Sequence, residues 1–183
     1  MGAACAAEKS WFQFERPRGV YQIPLVRSEL VCINAYPLDI VRELSEMASI
    51  YRVTVVNEWV RTFSYQIYST DRGFAINRSE LVSEPYGIRL KYISISKDQF
   101  GEIVQAIDKF QSVVAIRSKG EEDKSEKPSG KKDPIVVVER LAAHGAYQGS
   151  LVLPRGYDAV SQQFDAVTTI IERVLAARER SPE

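Results

Sequence analysis

The sequence predicts an α+β protein made of three repeats, each an antiparallel β-sheet followed by an amphipathic α-helix. Two observations carry this prediction. Apolar residues recur at helical spacing in three places, and a hairpin-like stretch containing a glycine precedes each of them. An apolar fraction of 45% with 26% charged residues is typical of a globular protein, and 183 residues are enough for one domain with a small satellite.

The clearest helical pattern lies in QFGEIVQAIDKF, which begins at Gln99. Its apolar residues are three and four positions apart, which places them on one face of a helix. Ser96 and Gln99 have the spacing of a capping box, so we expect the helix to begin there. Similar spacings occur upstream and downstream. The three apolar sets are Phe100, Ile103, Val104, Ile107 and Phe110; Ile40, Val41, Leu44 and Met47; and Tyr157, Val160, Phe164 and Val167.

Strand-like residues precede each helical pattern. The stretches LVCINAY, IRLKYISIS and SLVLP lead directly into the three helices, and a hairpin-like stretch lies further upstream of each. These stretches are WFQFERPRGVYQI, FSYQIYSTDRGFAI and IVVVERLAAHGAYQG, with glycines at Gly19, Gly73 and Gly145. Glycine tolerates the positive φ that tight hairpin turns require. Any β-rich protein has glycine in its turns, but recurrence before three helices favours a repeat.

A charged segment divides the chain. Residues 117–134 read RSKGEEDKSEKPSGKKDP, which has too few apolar side chains to form a core and is expected to be a flexible linker. Residues 9–116 are therefore predicted to be two interlocked repeats, with residues 135–178 as a tethered third repeat. A lone half-repeat would expose the apolar strand that begins at Ile135, as well as the final helix. We therefore expect a homodimer through residues 135–178.

The charge is balanced over the whole chain and uneven along it. With 24 basic and 24 acidic residues, the protein has no overall field that attracts nucleic acid or membranes. Residues 9–34 and 50–95, however, hold ten basic and six acidic side chains, whereas the first two predicted helices lean acidic. A second interpretation remains, because acidic residues also favour the first turns of helices and strand arginines can simply cover a pleated surface.

Residues that could support catalysis are scarce. His144 is the single histidine, Cys5 and Cys32 lack the spacing of metal ligands, and no phosphate-binding loop, nucleophile elbow or dinucleotide fingerprint occurs. We therefore expect no enzyme activity, cofactor, metal or small-molecule substrate. The sequence has no apolar run long enough for a membrane span, and its start lacks the pattern of a secretion signal. The expected location is intracellular, with nucleus, cytoplasm and mitochondrion not distinguished.

The repeated strands and helices resemble those of the PUR-repeat proteins. The resemblance is carried by RTFSYQIYSTDRGFAINRSEL followed by YISISKDQFGEIVQAIDKF. Whirly proteins, the kinetoplastid mitochondrial RNA-binding proteins and the single-stranded-DNA-binding transcriptional coactivators share this arrangement. The residues at the places of the family pattern are Arg61, Phe63, Tyr65, Gly73, Phe74, Arg78 and Glu80.

The resemblance implies a non-catalytic protein that binds single-stranded RNA or DNA through the first two repeats and dimerises through the third. On an open sheet face, aromatic rings would stack on bases while basic groups follow the phosphates. The expected residues are Arg16, Arg18, Tyr21, Arg61, Tyr65, Tyr68, Arg72, Phe74, Arg78, Arg89 and Lys91. Alternation alone does not say which of the aromatic residues face the helices instead. The alternative is a protein-interaction or assembly subunit with the same scaffold and no nucleic-acid binding, which the zero net charge favours.

Overall fold

The structure is a computed structural model with six strands and two helices among the residues that it describes. These residues are 47–56, 62–83, 86–120, 135–143, 146–152 and 159–179, together with Ile33, Leu38, Val41 and Arg42. The strands are β1 (Ser49–Val56), β2 (Phe63–Thr70), β3 (Gly73–Ser83), β4 (Tyr86–Ile95), β5 (Ile135–Leu141) and β6 (Tyr147–Val152). The helices are α1 (Lys97–Gly120) and α2 (Ala159–Glu179).

The six strands form one antiparallel sheet in the order β4-β3-β2-β1-β5-β6. Strands β1 to β4 form a meander, because each pairs antiparallel with the next strand along the chain. The hairpin of β5 and β6 then joins the free side of β1, where Val53 pairs with Val138. Among the described strands, β4 and β6 are therefore the two edges of the sheet.

Two local predictions are confirmed. Strands β2 and β3 form the predicted hairpin, with Thr70 paired to Gly73 and a φ of 134° at Gly73. The Thr70 hydroxyl oxygen also accepts a hydrogen bond from the backbone N–H of Arg72 at 3.1 Å, which supports the turn. At the start of α1, the N–H of Gln99 donates to the Ser96 hydroxyl at 3.1 Å and the N–H of Ser96 donates to the Gln99 side chain at 2.9 Å. This reciprocal pair is a capping box.

Both helices pack on one face of the sheet, which we call the helix face. The apolar residues of α1 that were predicted to share a stripe meet this face, with Ile103, Ile107 and Phe110 at most 1% exposed. Phe110 also approaches Phe164 of α2, with the ring centroids 6.3 Å apart. The sheet contributes alternate residues to this core: Tyr51, Val53, Tyr65, Ile67, Ile76, Val136 and Val138.

The opposite face of the sheet, the second face, is also buried at its centre. Thr54 and Val137 are fully buried there, and Ser64 is 3% exposed. At one end of this face, Leu38 packs against Ile50 together with Tyr68, Ala75 and Leu141. The expectation of a sheet with one wholly open face is therefore wrong for the centre of this sheet.

The α+β class and the antiparallel sheet are confirmed, but three repeats are not. Four strands precede α1, whereas two precede α2, so the second and third predicted units differ in the described residues. The third unit was predicted to have three strands, and the structure has two because the return strand and SLVLP merge into β6. Most of the first predicted unit, and residues 121–134 of the predicted linker, lie outside the described residues.

The third predicted unit is not separated from the second in the way that the sequence indicates. Helix α1 continues to Gly120, four residues into the predicted linker, which begins at residue 117. Strand β5 then pairs with β1 along its whole length, from Ile135 to Leu141. Because Val136 and Val138 are buried within the same chain, the exposed apolar strand that motivated a dimer through residues 135–178 is absent. Dimerisation itself stays a prediction.

Candidate functional site

The predicted binding residues do not share one surface in the structure. Four of them, Arg16, Arg18, Tyr21 and Arg61, lie outside the described residues. The other seven are divided between the two faces of the sheet and the β2–β3 turn. Cross-strand pairing assigns the faces, since directly opposed residues in an antiparallel pair project to the same side.

Tyr65 and Phe74 belong to the core under the helices. Tyr65 is 2% exposed, and its hydroxyl donates a hydrogen bond to the Glu172 carboxylate of α2. The Phe74 ring packs against Phe100 of α1, with the centroids 4.7 Å apart. The expectation that these two rings lie on an open binding face is therefore wrong. The reason is the pleat of the sheet, which turns alternate residues toward the helices.

Arg78 also lies on the helix face, where it joins the sheet to α2. Its guanidinium is 3.2 Å from the Glu172 carboxylate and 3.4 Å from the Glu80 carboxylate. Its Cζ atom also lies 5.7 Å from the centre of the Tyr65 ring, within cation–π distance. With two carboxylate partners and two aromatic rings, Tyr65 and Phe63, within cation–π distance, Arg78 has a structural explanation that needs no nucleic acid.

Tyr68 lies on the second face and is 8% exposed, so its ring is not open to a base either. It contacts Tyr92 of β4, with the ring centroids 6.4 Å apart. Burial is the largest cause that raises the pKa of Tyr68 above the usual value for a phenol, and its interaction with Tyr92 adds to this rise. Tyr68 is therefore a neutral, packed support beneath the more exposed Tyr92 ring.

The centre of the second face holds a buried charge pair. Arg52 and Glu139 oppose each other on β1 and β5, with Nε and Oε2 3.2 Å apart and both side chains fully buried. The contact is an ion pair rather than a well-aligned hydrogen bond. The Tyr147 hydroxyl donates to the other Glu139 oxygen at 3.1 Å. The Tyr147 ring reaches it by crossing Gly149, where a Cβ would lie 2.6 Å from the Tyr147 hydroxyl oxygen.

The exposed part of the sheet is strand β4. Ile88, Leu90 and Tyr92 alternate along its second-face side and are 37%, 60% and 65% exposed. We call these three side chains the β4 stripe. Among the residues whose burial the structure describes, they are the large hydrophobic side chains that are exposed. Contiguous exposed apolar surface of this kind often marks a binding site.

Basic side chains accompany the β4 stripe on the other side of the strand. Arg89 is exposed and Lys91 is half-buried, and their partners on β3 are Glu80 and Arg78. Arg72 is exposed in the β2–β3 turn, near the end of β4 where Phe74 pairs with Ile95. Three of the predicted binding residues are thus on or near one edge of the sheet.

The β4 stripe was not among the residues singled out from the sequence. The signal was present, because apolar residues alternate with Arg89 and Lys91 within IRLKYISIS. The sequence did not show which of the two alternating sets of β4 side chains faces the helices. It also did not show that β4 lies at an edge of the described sheet. Both depend on the order of strands in the sheet rather than on local pattern.

Within the described ranges, no three His, Cys, Asp or Glu side chains are grouped so that they could hold a metal ion. His144, Cys5 and Cys32 lie outside those ranges. The helices in the same part of the chain include none that is long and apolar enough to cross a membrane.

No protein-family model, curated protein or solved structure matches this chain. The functional argument therefore depends on the surface of β4 and its surroundings.

Proposed function

We propose that this protein is a non-catalytic interaction subunit that binds a partner protein through the β4 stripe. The observation that carries the proposal is the exposure of Ile88, Leu90 and Tyr92 in alternation on one side of an edge strand. The other large apolar side chains whose burial the structure describes are at least partly covered. A partner that covered the stripe would remove its apolar surface from water.

The expected contribution of the stripe to affinity follows from its exposure. Full burial of a large aliphatic side chain stabilises a complex by about 1.5 to 3 kcal/mol. Leu90 and Tyr92 are each more than half exposed. Replacing both with serine should therefore weaken binding by about 3 kcal/mol, which is on the order of a hundredfold in Kd.

A peptide-display selection tests this proposal. Wild-type protein is the bait, and the Leu90→Ser/Tyr92→Ser double variant is the counter-selection. Ser94→Ala is the matched control, because Ser94 is exposed and lies on the same side of the same strand. We expect peptides that bind the wild type and Ser94→Ala but not the double variant. Peptides that bind all three proteins equally would contradict the proposal.

A second candidate is the binding of single-stranded RNA or DNA at the same edge. It is favoured by the exposed Tyr92 ring near Arg89 and Lys91, since one base could stack on the ring while the cations contact phosphates. Fluorescence anisotropy with short single-stranded RNA and DNA at low and moderate salt tests it. The candidate requires binding at low salt that falls steeply with added salt and weakens in Arg89→Ala and Arg72→Ala. An absence of binding at low salt would rule it out.

A further inference from the structure

Strand β4 is an edge strand among the described strands, and its two sides are chemically different. It pairs with β3 from Phe74 opposite Ile95 to Ser83 opposite Tyr86, and no described strand lies on its other side. An edge strand presents backbone N–H and C=O groups that can pair with an added strand. The apolar β4 stripe lies on one side of that edge, and Arg89 and Lys91 lie on the other.

The charges argue against a second copy of this chain as the added strand. Two antiparallel registers between two copies of β4 pair the most residues and place the apolar side chains of both copies on the same side. In one register, Arg89 lies opposite Lys91 of the second copy. In the other register, the two Lys91 side chains lie opposite each other. Like charges directly opposite each other destabilise a strand pair. Charged residues on edge strands are a common protection against such self-association.

Among the described residues around Arg89 and Lys91, this side of the edge is basic. Glu80 opposes Arg89 across β3 and β4, but it is buried and shares its charge with Arg78 at 3.4 Å. The carboxylate of Glu172 also lies at Arg78, 3.2 Å from the guanidinium. These two carboxylates are thus engaged by Arg78, whereas Arg89 is exposed at the rim.

We propose that β4 binds an extended protein segment in which apolar and acidic residues alternate, and that this segment adds to the sheet as a further strand. This inference rests on the proposed interaction function and names the chemistry of its partner. Backbone pairing with β4 provides the strand geometry. The segment's apolar residues cover Ile88, Leu90 and Tyr92, while its acidic residues, two positions apart, face Arg89 and Lys91.

Synthetic peptides of about seven residues, a usual strand length, test this inference by fluorescence anisotropy. One peptide alternates glutamate and valine, a second alternates lysine and valine, and a third has the composition of the first with the glutamates and valines in separate blocks. A fourth is the first peptide with N-methylated backbone on its pairing edge. We expect the first to bind at least about tenfold more tightly than the other three.

Charge-reversal variants assign the preference to β4. Arg89→Glu should remove or invert the preference for the acidic peptide. Lys109→Glu makes the same change of charge on the exposed side of α1, away from the strand, and should leave it unchanged. A preference that survives Arg89→Glu, or equal binding of the alternating and blocked peptides, would overturn the inference.

The outcomes separate this inference from the function on which it rests. If peptides bind and Leu90→Ser weakens them irrespective of peptide charge, the interaction function stands and the acidic partner is wrong. If no peptide binds and the display selection also yields none, both are wrong. If single-stranded RNA binds more tightly than the acidic peptide and Arg89→Glu abolishes that binding, the inference is overturned in favour of the nucleic-acid candidate.

Discussion

The buried pair of Arg52 and Glu139 should respond very differently to single and double replacement. Both side chains are fully buried, and their closest charged atoms are 3.2 Å apart. Removing one partner of a buried ion pair leaves the other charge without compensation, at a cost of about 3 to 5 kcal/mol. Arg52→Met should therefore destabilise the protein by that amount, although Tyr147 still donates a hydrogen bond to Glu139.

The double variant Arg52→Met/Glu139→Leu should be far more stable than the sum of its single changes predicts. Replacing both charges by apolar side chains of similar size is often neutral or stabilising, because it also removes the cost of desolvating them. Since the two residues are direct cross-strand partners, we expect a coupling energy of about 3 kcal/mol.

Urea unfolding at neutral pH measures all four proteins of this double-mutant cycle. For a chain of this size, a loss of 1 kcal/mol lowers Tm by about 2 to 4 °C, so the single variant should also show a clear shift in Tm. A single replacement that costs less than about 1 kcal/mol would refute the reasoning. It would mean that water reaches this part of the second face, which would then be open, as the sequence first indicated.

Two further predictions concern neighbouring parts of the sheet. Gly149→Ala should lower the free energy of unfolding by about 1 to 3 kcal/mol, because the new Cβ displaces the Tyr147 hydroxyl from Glu139. Tyr147→Phe removes the same hydrogen bond and should lower it by about as much. Urea unfolding that finds Gly149→Ala neutral would contradict this. Burial raises the pKa of Tyr68 and Tyr51 above 10.0, so folding favours the neutral phenols. The two phenols contribute their full stabilisation below the pKa of the unfolded chain, and this contribution is lost as the pH rises through the pKa of the folded protein. Urea unfolding should therefore show a free energy of unfolding that falls above about pH 10. The fall should be smaller in Tyr68→Phe. An equal fall in wild type and Tyr68→Phe would show that Tyr68 does not cause it.

The features that the sequence predicted well have local causes. The β2–β3 hairpin follows from Gly73 and its flanking alternation, and the start of α1 follows from Ser96 and Gln99. In both cases the interacting residues are within a few positions of one another. A single stretch of sequence therefore contains the whole signal.

The features that the sequence did not predict depend on distant parts of the chain. The pairing of β5 with β1 joins residues separated by three further strands, α1 and the charged segment, and no local pattern encodes it. The same topology decides that Tyr65 faces α2 while Leu90 faces water. Aromatic content therefore indicated a binding surface, although Tyr65 and Phe74 serve the core.

Amide hydrogen exchange of β4 with a bound peptide tests the central claim most directly. In the free protein, those amides of β4 that do not pair with β3 should exchange rapidly, because they face the edge of the sheet. When a peptide from the display selection is bound, we expect protection to increase within residues 87–94, with no change in α1 or β6 and no effect in Leu90→Ser/Tyr92→Ser. Increased protection elsewhere, with β4 unchanged, would contradict the account.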